Sequence, residues 1–272
     1  MSNANAALAE QRLASTDNGR MAVRDSVALV TGASSGIGEA TARALADAGA
    51  HVVVHGRDAD ALAALAKEID GTPVVADLSV PGDVERLACD ALDAAGRVDI
   101  LVANAGFGSA GRFVDMAPSC VEPMVAVNLV APIRLARALM PAMVARNRGY
   151  VAFVSSIAGR TGVAREAVYA ATKAGLDAFA ESVRLELRGS AVRVGVLVPG
   201  PAMTRFFERR GEPYGRRLPR PQPPERLAAA LVRMIERGSA EAYRPRWLRL
   251  PVAIRGLTPG VYRQLARRYG GS

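Results

Sequence analysis

Thr31-Gly32-Ala33-Ser34-Ser35-Gly36-Ile37-Gly38 stands between a short apolar run, residues 27–30, and a stretch, residues 37–48, whose apolar groups recur at helical spacing and stop at Gly49. A strand that ends in a glycine-rich turn and opens a helix suits an anion. The glycines permit a tight turn and close backbone approach. The helix start offers free N–H groups and the positive end of its dipole. The spacing here is Gly-x3-Gly-x-Gly, not the commoner G-x-G-x-x-G. A glycine turn alone is also an ordinary structural turn, and the strand–turn–helix setting is what favours the phosphate reading.

The same alternation continues outward. HVVVH (51–55) reads as a strand, 58–69 as a helix, 72–76 as a strand, 82–95 as a helix and 98–103 as a strand. Residues 118–147 form a long helical region with internal prolines. A strand at 151–155, a helix at 166–188 and a strand at 192–198 follow. The strands are continuous Val/Leu/Ala runs, as a parallel sheet covered on both faces requires. The predicted class is therefore α/β. Residues 1–24 read as a loose N-terminal extension and 25–240 as a single domain. Residues 209–224 (RRGEPYGRRLPRPQPP) read as a loop, about 225–237 as a helix, and 241–272 as a basic, Trp/Leu/Arg-rich extension.

Composition bounds the rest. Of 272 residues, 50% are hydrophobic and 22% charged, which excludes a disordered chain. Two cysteines, Cys89 and Cys120, exclude a disulfide scaffold and a CxxC pair. His51 and His55 are the only histidines, too few for a His-rich metal site, and they flank a buried strand as structural residues. No apolar run of the ~18 residues of a membrane span is expected. The first residues carry no basic segment leading into an apolar one, so the expected compartment is the cytoplasm. The net charge of +9 is uneven. Residues 1–204 carry 19 basic and 21 acidic residues, and residues 205–272 carry 16 arginines against 5 glutamates. Lys67 and Lys173 are the only lysines beside 33 arginines.

Lys173 follows Tyr169 by four residues in the predicted 166–188 helix, so phenol and ammonium share a face. A free phenol titrates near ~10, and a neighbouring ammonium favours the phenolate, drawing that value toward neutrality. Alone such a pair is most often surface decoration; among the other motifs it reads as an acid/base device. Ser156 ends the fifth strand thirteen residues before Tyr169 and sets a hydroxyl at the mouth of the same cleft. Asn128, in VAVNLVAP, is a polar amide among apolar neighbours and needs hydrogen-bond partners.

With TGASSGIG at 31–38, Asp77-Leu78, Asn104-Ala105-Gly106, Asn128, Ser156, Tyr169-x3-Lys173 and Pro199-Gly200 with Thr204 in this order, the sequence resembles the short-chain dehydrogenases/reductases over about residues 25–240. The resemblance implies a Rossmann-type doubly wound sheet of about seven parallel strands, order 3-2-1-4-5-6-7, with helices on both faces. It implies an enzyme that interconverts a ketone or aldehyde and an alcohol by hydride transfer. Tyr169 would be the acid/base, assisted by Ser156 and Lys173, with Asn128 distorting its helix and holding a water. It assigns to a nicotinamide dinucleotide Gly32, Ser34, Ser35, Gly36, Ile37, Gly38, Arg57, Asp77, Leu78, Asn104, Ala105, Gly106, Tyr169, Lys173, Pro199, Gly200, Ala202 and Thr204. It also implies a homodimer or homotetramer paired through the helices at about 118–147 and 166–188.

Two features tune this expectation. The second strand ends His55-Gly56-Arg57, with no carboxylate to repel a 2′-phosphate, and Arg57 can pair with one. NADP(H) is the expected cofactor, with NAD(H) possible. The alternative for Arg57 is a solvated strand cap. Asp58 suits a helix N-cap. The family's substrate cover falls at about 203–222, with Met203, Phe206, Phe207, Tyr214 and five arginines between 205 and 217. With Phe107 and Phe113 on the opposite wall it points to a bulky apolar ketone. The arginines either meet an anionic substrate group or are simply solvated. The basic tail has three readings: packing on its own domain or a partner subunit, contact with an anionic membrane surface, or nucleic-acid binding, which no recognised module supports. The competing functions are a non-catalytic NADP(H)-binding sensor or scaffold and a membrane-surface reductase of lipid-like substrates.

Overall fold

The computed structural model describes residues 21–269. Seven strands form one sheet: β1 (Val27–Thr31), β2 (His51–Gly56), β3 (Thr72–Val75), β4 (Ile100–Ala103), β5 (Tyr150–Val154), β6 (Arg193–Pro199) and β7 (Glu241–Arg244). All pairs are parallel and the order is β3-β2-β1-β4-β5-β6-β7, as expected. Along β1, Val27 and Leu29 enter one core and Ala28 and Val30 the other. This is why the run is apolar without alternation: successive side chains face opposite sides, and both sides are covered.

One layer holds α3 (Asp83–Ala95), α5 (Ala131–Ala145) and α7 (Ala167–Glu186), contributing Leu87, Leu135, Leu139 and Leu176. The other holds α1 (Gly36–Asp47), α2 (Ala59–Ile69) and α9 (Pro224–Glu236), contributing Leu45, Leu62, Leu65, Leu227 and Leu231. The chain reverses direction across the sheet between β1 and β4. Ligands of open α/β sheets bind at the carboxyl ends of the strands beside such a reversal.

The structure corrects several boundaries. Met21 and Val23 are buried, and Met21 N–H donates to Glu236 O (3.3 Å), so the body of the fold begins before residue 25. Residues 1–20, the rest of the expected loose extension, lie outside the described residues. Residues 241–244 are the seventh strand, paired with β6, so the expected C-terminal extension starts only after Arg244. The expected 118–147 helix is a series: a 3-10 turn at Pro118–Cys120, α4 (Val121–Val125), a π-turn (Ala126–Val130) and α5. Together Pro118–Ala145 is long and apolar enough, by length and composition, to cross a membrane, against the expectation that no such segment exists. In the fold, α5 lies against the sheet with Leu135, Leu139 and Met143 buried.

Short elements beyond those expected complete the chain. α6 (Ile157–Thr161) follows β5 at once, and α8 (Phe206–Arg209) lies within the substrate-cover segment. After β7, a 3-10 turn at Arg246–Leu248 leads into α10 (Arg249–Leu257) and α11 (Pro259–Tyr269). These last helices return to α6: Arg255 donates to Arg160 O, and Tyr262 Oη donates to Thr161 O (3.0 Å).

Candidate active site

The turn after β1 has the shape of a phosphate cradle. Ser35 precedes α1 in extended conformation and makes no side-chain cap, so the first-turn N–H groups of α1 are left to another acceptor. Gly36 has φ +61°, and a Cβ there would stand 2.9 Å from Thr204 Cγ2. A Cβ on Gly38 would stand 2.1 Å from Gly32 O and 2.5 Å from Asn104 Nδ2, so no side chain fits. Asn104 Nδ2 donates to Thr31 O (2.9 Å) and Gly32 O (3.2 Å), and Thr31 Oγ1 accepts from Asn104 N and Ala105 N (3.0 Å each). The ends of β1 and β4 are thus locked together, with Thr204 close by, around one narrow backbone surface. A dinucleotide pyrophosphate fits a surface of this kind, where only glycine lets the backbone approach.

At the outer end of this surface, Arg57 Nη1 lies 3.6 Å from Asp77 Oδ2. A Cβ on Gly56 would meet Ser34 Oγ at 3.1 Å, so Ser34 sits beside the end of β2. Asp58 caps α2 by accepting from Ala61 N (3.1 Å). Asp77 accepts from Ser79 N (3.0 Å) and Ser79 Oγ (2.7 Å). The backbone N–H of Ser79, then its hydroxyl and Arg57, hold the Asp77 carboxyl below its ordinary value, against a partial burial penalty. Leu78 is buried. His55 is buried too, its Nε2 3.2 Å from Ala76 O, and burial pushes its pKa down to about 4.

At the inner end, three elements, the π-turn, the start of α6 and α7, bring Asn128, Ser156, Tyr169 and Lys173 together. Ser156 is the N-cap of α6: its Oγ accepts from Ala158 N (3.1 Å), which leaves the hydroxyl proton free to be donated. Tyr169, in the first turn of α7, is buried. Burial raises its phenol well above the ordinary value, with Ser156 pulling weakly the other way. The spacing of Tyr169 and Lys173 predicts the opposite, an ammonium that lowers it; burial instead decides the direction. Lys173 Nζ lies 5.8 Å from the Tyr169 ring centroid and donates to Val154 O (2.8 Å). Burial pushes its pKa down to about 8, against the field of Asp177.

Asn128 sits in the π-turn, fully buried. Its Oδ1 accepts from Phe107 N (3.0 Å), and its Nδ2 donates to Phe107 O (2.8 Å) and Thr172 Oγ1 (3.3 Å). The side chain therefore clamps the strand-end loop that contains Gly106. A Cβ on Gly106 would stand 3.0 Å from Asn128 Oδ1 and 3.4 Å from Lys173 Nζ. After β6, Gly200 N donates to Arg244 O (2.7 Å) and Ala202 bridges to Gln222, which positions Pro199 through Thr204 beneath the cover segment.

That cover rests directly on the phenol. The Phe206 ring lies 5.3 Å from Tyr169, Phe207 5.5 Å from Phe206, and Tyr214 5.0 Å from Phe207. Arg210 pairs with Glu166 and Arg165 with Glu212, and Ala110 N donates to Arg210 O (3.0 Å). Phe107 packs in the Tyr169 cluster, but Phe113, expected on the opposite wall, is 63% exposed.

A charged joint behind Lys173 escapes sequence reasoning. Arg160 bridges Asp177 (2.7 Å) and Glu241 (2.7 Å), and burial raises Asp177 despite Ser155, Arg160 and Lys173. Its one sequence signal is the four-residue spacing of Lys173 and Asp177, which places them on one helical face.

The family model for short chain dehydrogenases matches residues 26–215. Dehydrogenase/reductase SDR family member 7B of Bos taurus is 35% identical over 66% of this chain; the match covers 59% of that relative's length. A short-chain dehydrogenase from Sphingobium yanoikuyae in complex with NADPH superposes with a TM-score of 0.77 at 29% identity, covering 86% of this chain and 95% of its own. A metagenomic short-chain oxidoreductase in complex with NADP does so with a TM-score of 0.70 at 36% identity, covering 82% and 97%. The chain belongs to the short-chain dehydrogenase/reductase family of NAD(P)-dependent oxidoreductases.

Proposed function

We propose that the protein is an NADP(H)-dependent carbonyl reductase of bulky, apolar ketones or aldehydes, with Tyr169 as its proton donor. One observation carries the reading: Tyr169 is buried between Ser156, Lys173 and the Phe206 ring, so the phenol opens onto an aromatic wall. An apolar substrate gains by covering such a wall, and its carbonyl oxygen is the one group that can use the Ser156 and Tyr169 hydroxyls.

The glycine turn, Asn104 and Thr204 would hold the dinucleotide, which supplies the hydride when bound. Arg57 and Ser34 would hold a 2′-phosphate, since Asp58 is engaged as a helix cap and Gly56 offers no carboxylate. The two NADP-type neighbours named above support that preference. Ser156 donates to the carbonyl oxygen while its own oxygen is fixed by Ala158 N–H. Tyr169, kept protonated by burial, donates its proton to the oxygen as negative charge develops there. Lys173 stabilises the phenolate left behind, and Val154 O fixes its position. Asn128 keeps Gly106 and Lys173 in register.

For assembly we favour a homo-oligomer paired through α5 and α7, on which Val144 and Leu185 stand exposed. The test of function is turnover of NADPH with a series of ketones of increasing apolar size, repeated with NADH and with Tyr169→Phe. NADPH-dependent reduction that grows with apolar size and disappears in Tyr169→Phe is the expected outcome. Equal use of NADH, or a phenylalanine variant at full rate, overturns the assignment.

A further inference from the structure

Charge in this molecule is segregated. Beyond Glu241 the sequence carries seven arginines and no acidic residue. In the cover segment Arg216, Arg217 and Arg220 are exposed, and residues 213–224 contain no acid. Arg226, Arg233, Arg244 and Arg246 line an open concavity of about 660 Å³ beside Trp247, with one carboxylate, Glu225. Burial, and then Arg233, Arg246 and Arg249, hold the Arg244 guanidinium below its ordinary value.

Trp247 borders this concavity, and further large apolar side chains stand exposed on the helices that follow it. Trp247, Leu250, Leu257, Val261 and Leu265 are all exposed, Leu257 at 84%. Leu250 and Leu257 are seven apart on α10, and Val261 and Leu265 four apart on α11, so each helix carries an apolar stripe between arginines. The cover segment and the tail adjoin. A Cβ on Gly200 would stand 3.1 Å from Leu248 Cδ1 and 3.3 Å from Pro219 Cγ. Their chain neighbours Trp247 and Leu218, both exposed, therefore flank one spot.

We infer that the tail and the cover segment together form a docking face for an anionic phospholipid bilayer. Tryptophan prefers the headgroup level, arginines reach the phosphates while their stems stay apolar, and leucine stripes enter the acyl boundary. A soluble anion would use the arginines and leave the exposed leucines unexplained. The bilayer uses both. This goes beyond the proposed activity and does not depend on it.

Trp247 is the only tryptophan in the chain, so the face carries its own probe. The full chain is mixed with phosphatidylcholine vesicles and with phosphatidylcholine–phosphatidylglycerol vesicles; co-sedimentation and Trp247 emission are read, and circular dichroism checks that each variant is folded. Expected is binding to the anionic vesicles with a blue shift, weakened by salt and about tenfold or more weaker on phosphatidylcholine alone. Arg246→Gln with Arg249→Gln should lose about tenfold or more. Leu250→Ser with Leu257→Ser should lose the blue shift, and Arg188→Gln, an exposed arginine of the opposite sheet end, should change nothing. No vesicle binding, equal binding to both vesicles, or an equal loss with Arg188→Gln overturns the inference. So does inositol hexakisphosphate displacing the protein with no spectral change, or a Trp247 already shielded from acrylamide without vesicles, which would mark a second copy of the chain on this face.

Discussion

The Arg57 guanidinium lies 3.6 Å from the Asp77 carboxylate across the ends of β2 and β3. The pair is loose, and Arg57 is 76% exposed, so little is lost when the arginine turns to another anion. A charged hydrogen bond to phosphate contributes about 1.5–3 kcal/mol. Arg57→Ala should therefore weaken NADPH binding by roughly 10–100-fold and leave NADH binding nearly unchanged. Isothermal titration calorimetry with both cofactors checks it.

In the proposed mechanism Lys173 would set the alkaline limit. Its pKa of about 8 means it is cationic below that pH and neutral above it. Stabilising the phenolate needs the cation, so the rate of reduction should be full below about pH 8 and fall as pH rises through it. Tyr169 is raised by burial and stays protonated across this range, so the limb belongs to the lysine. A pH–rate profile shows the limb in the native enzyme. Lys173→Met should lose most of the rate, and what remains should show no limb near 8.

Phe206 bears on substrate size. Its ring packs on Tyr169, and a Cβ on Gly108 would stand 2.9 Å from Phe206 Cζ. Aromatic pairing contributes about 0.5–1.5 kcal/mol beyond area. Phe206→Ala should cut kcat/KM for bulky aromatic ketones by about three- to tenfold and hardly alter that for small ones.

Asn128→Ala should cost stability as well as rate. It leaves Phe107 N–H and C=O, in a partly buried loop, without their partner, and opens a void at the fully buried position 128. A loss of about 2–3 kcal/mol is expected, read from the denaturant midpoint.

Much of this architecture is legible in the order of residues alone. Runs such as VALVT announce strands covered on both faces, and Tyr169 and Lys173 announce a shared helical face. What the sequence does not carry is non-local. The acidity of Tyr169 is decided by burial under Phe206, a residue 37 positions away that no spacing rule connects to it. The strand at Glu241–Arg244 is only half apolar and reads as tail until β6 lies beside it. The distortion around Asn128 is implied by the family resemblance and not by any local spacing, because the Phe107 backbone that Asn128 bonds is brought there by β4. Phe113 misleads for the opposite reason: its aromatic character suggests the pocket wall, while its 3-10 turn leaves it exposed.

The two bonds from the tail to Arg160 O and Thr161 O have a thermodynamic consequence. α6 is five residues long, with Ser156 at its start and those two carbonyls at its far end. Ser156 and the tail are therefore opposite ends of one short lever. A tail ligand that shifts this helix would change the free energy of a substrate at the serine. By reciprocity, such a substrate would change the tail's affinity for the proposed bilayer by the same factor.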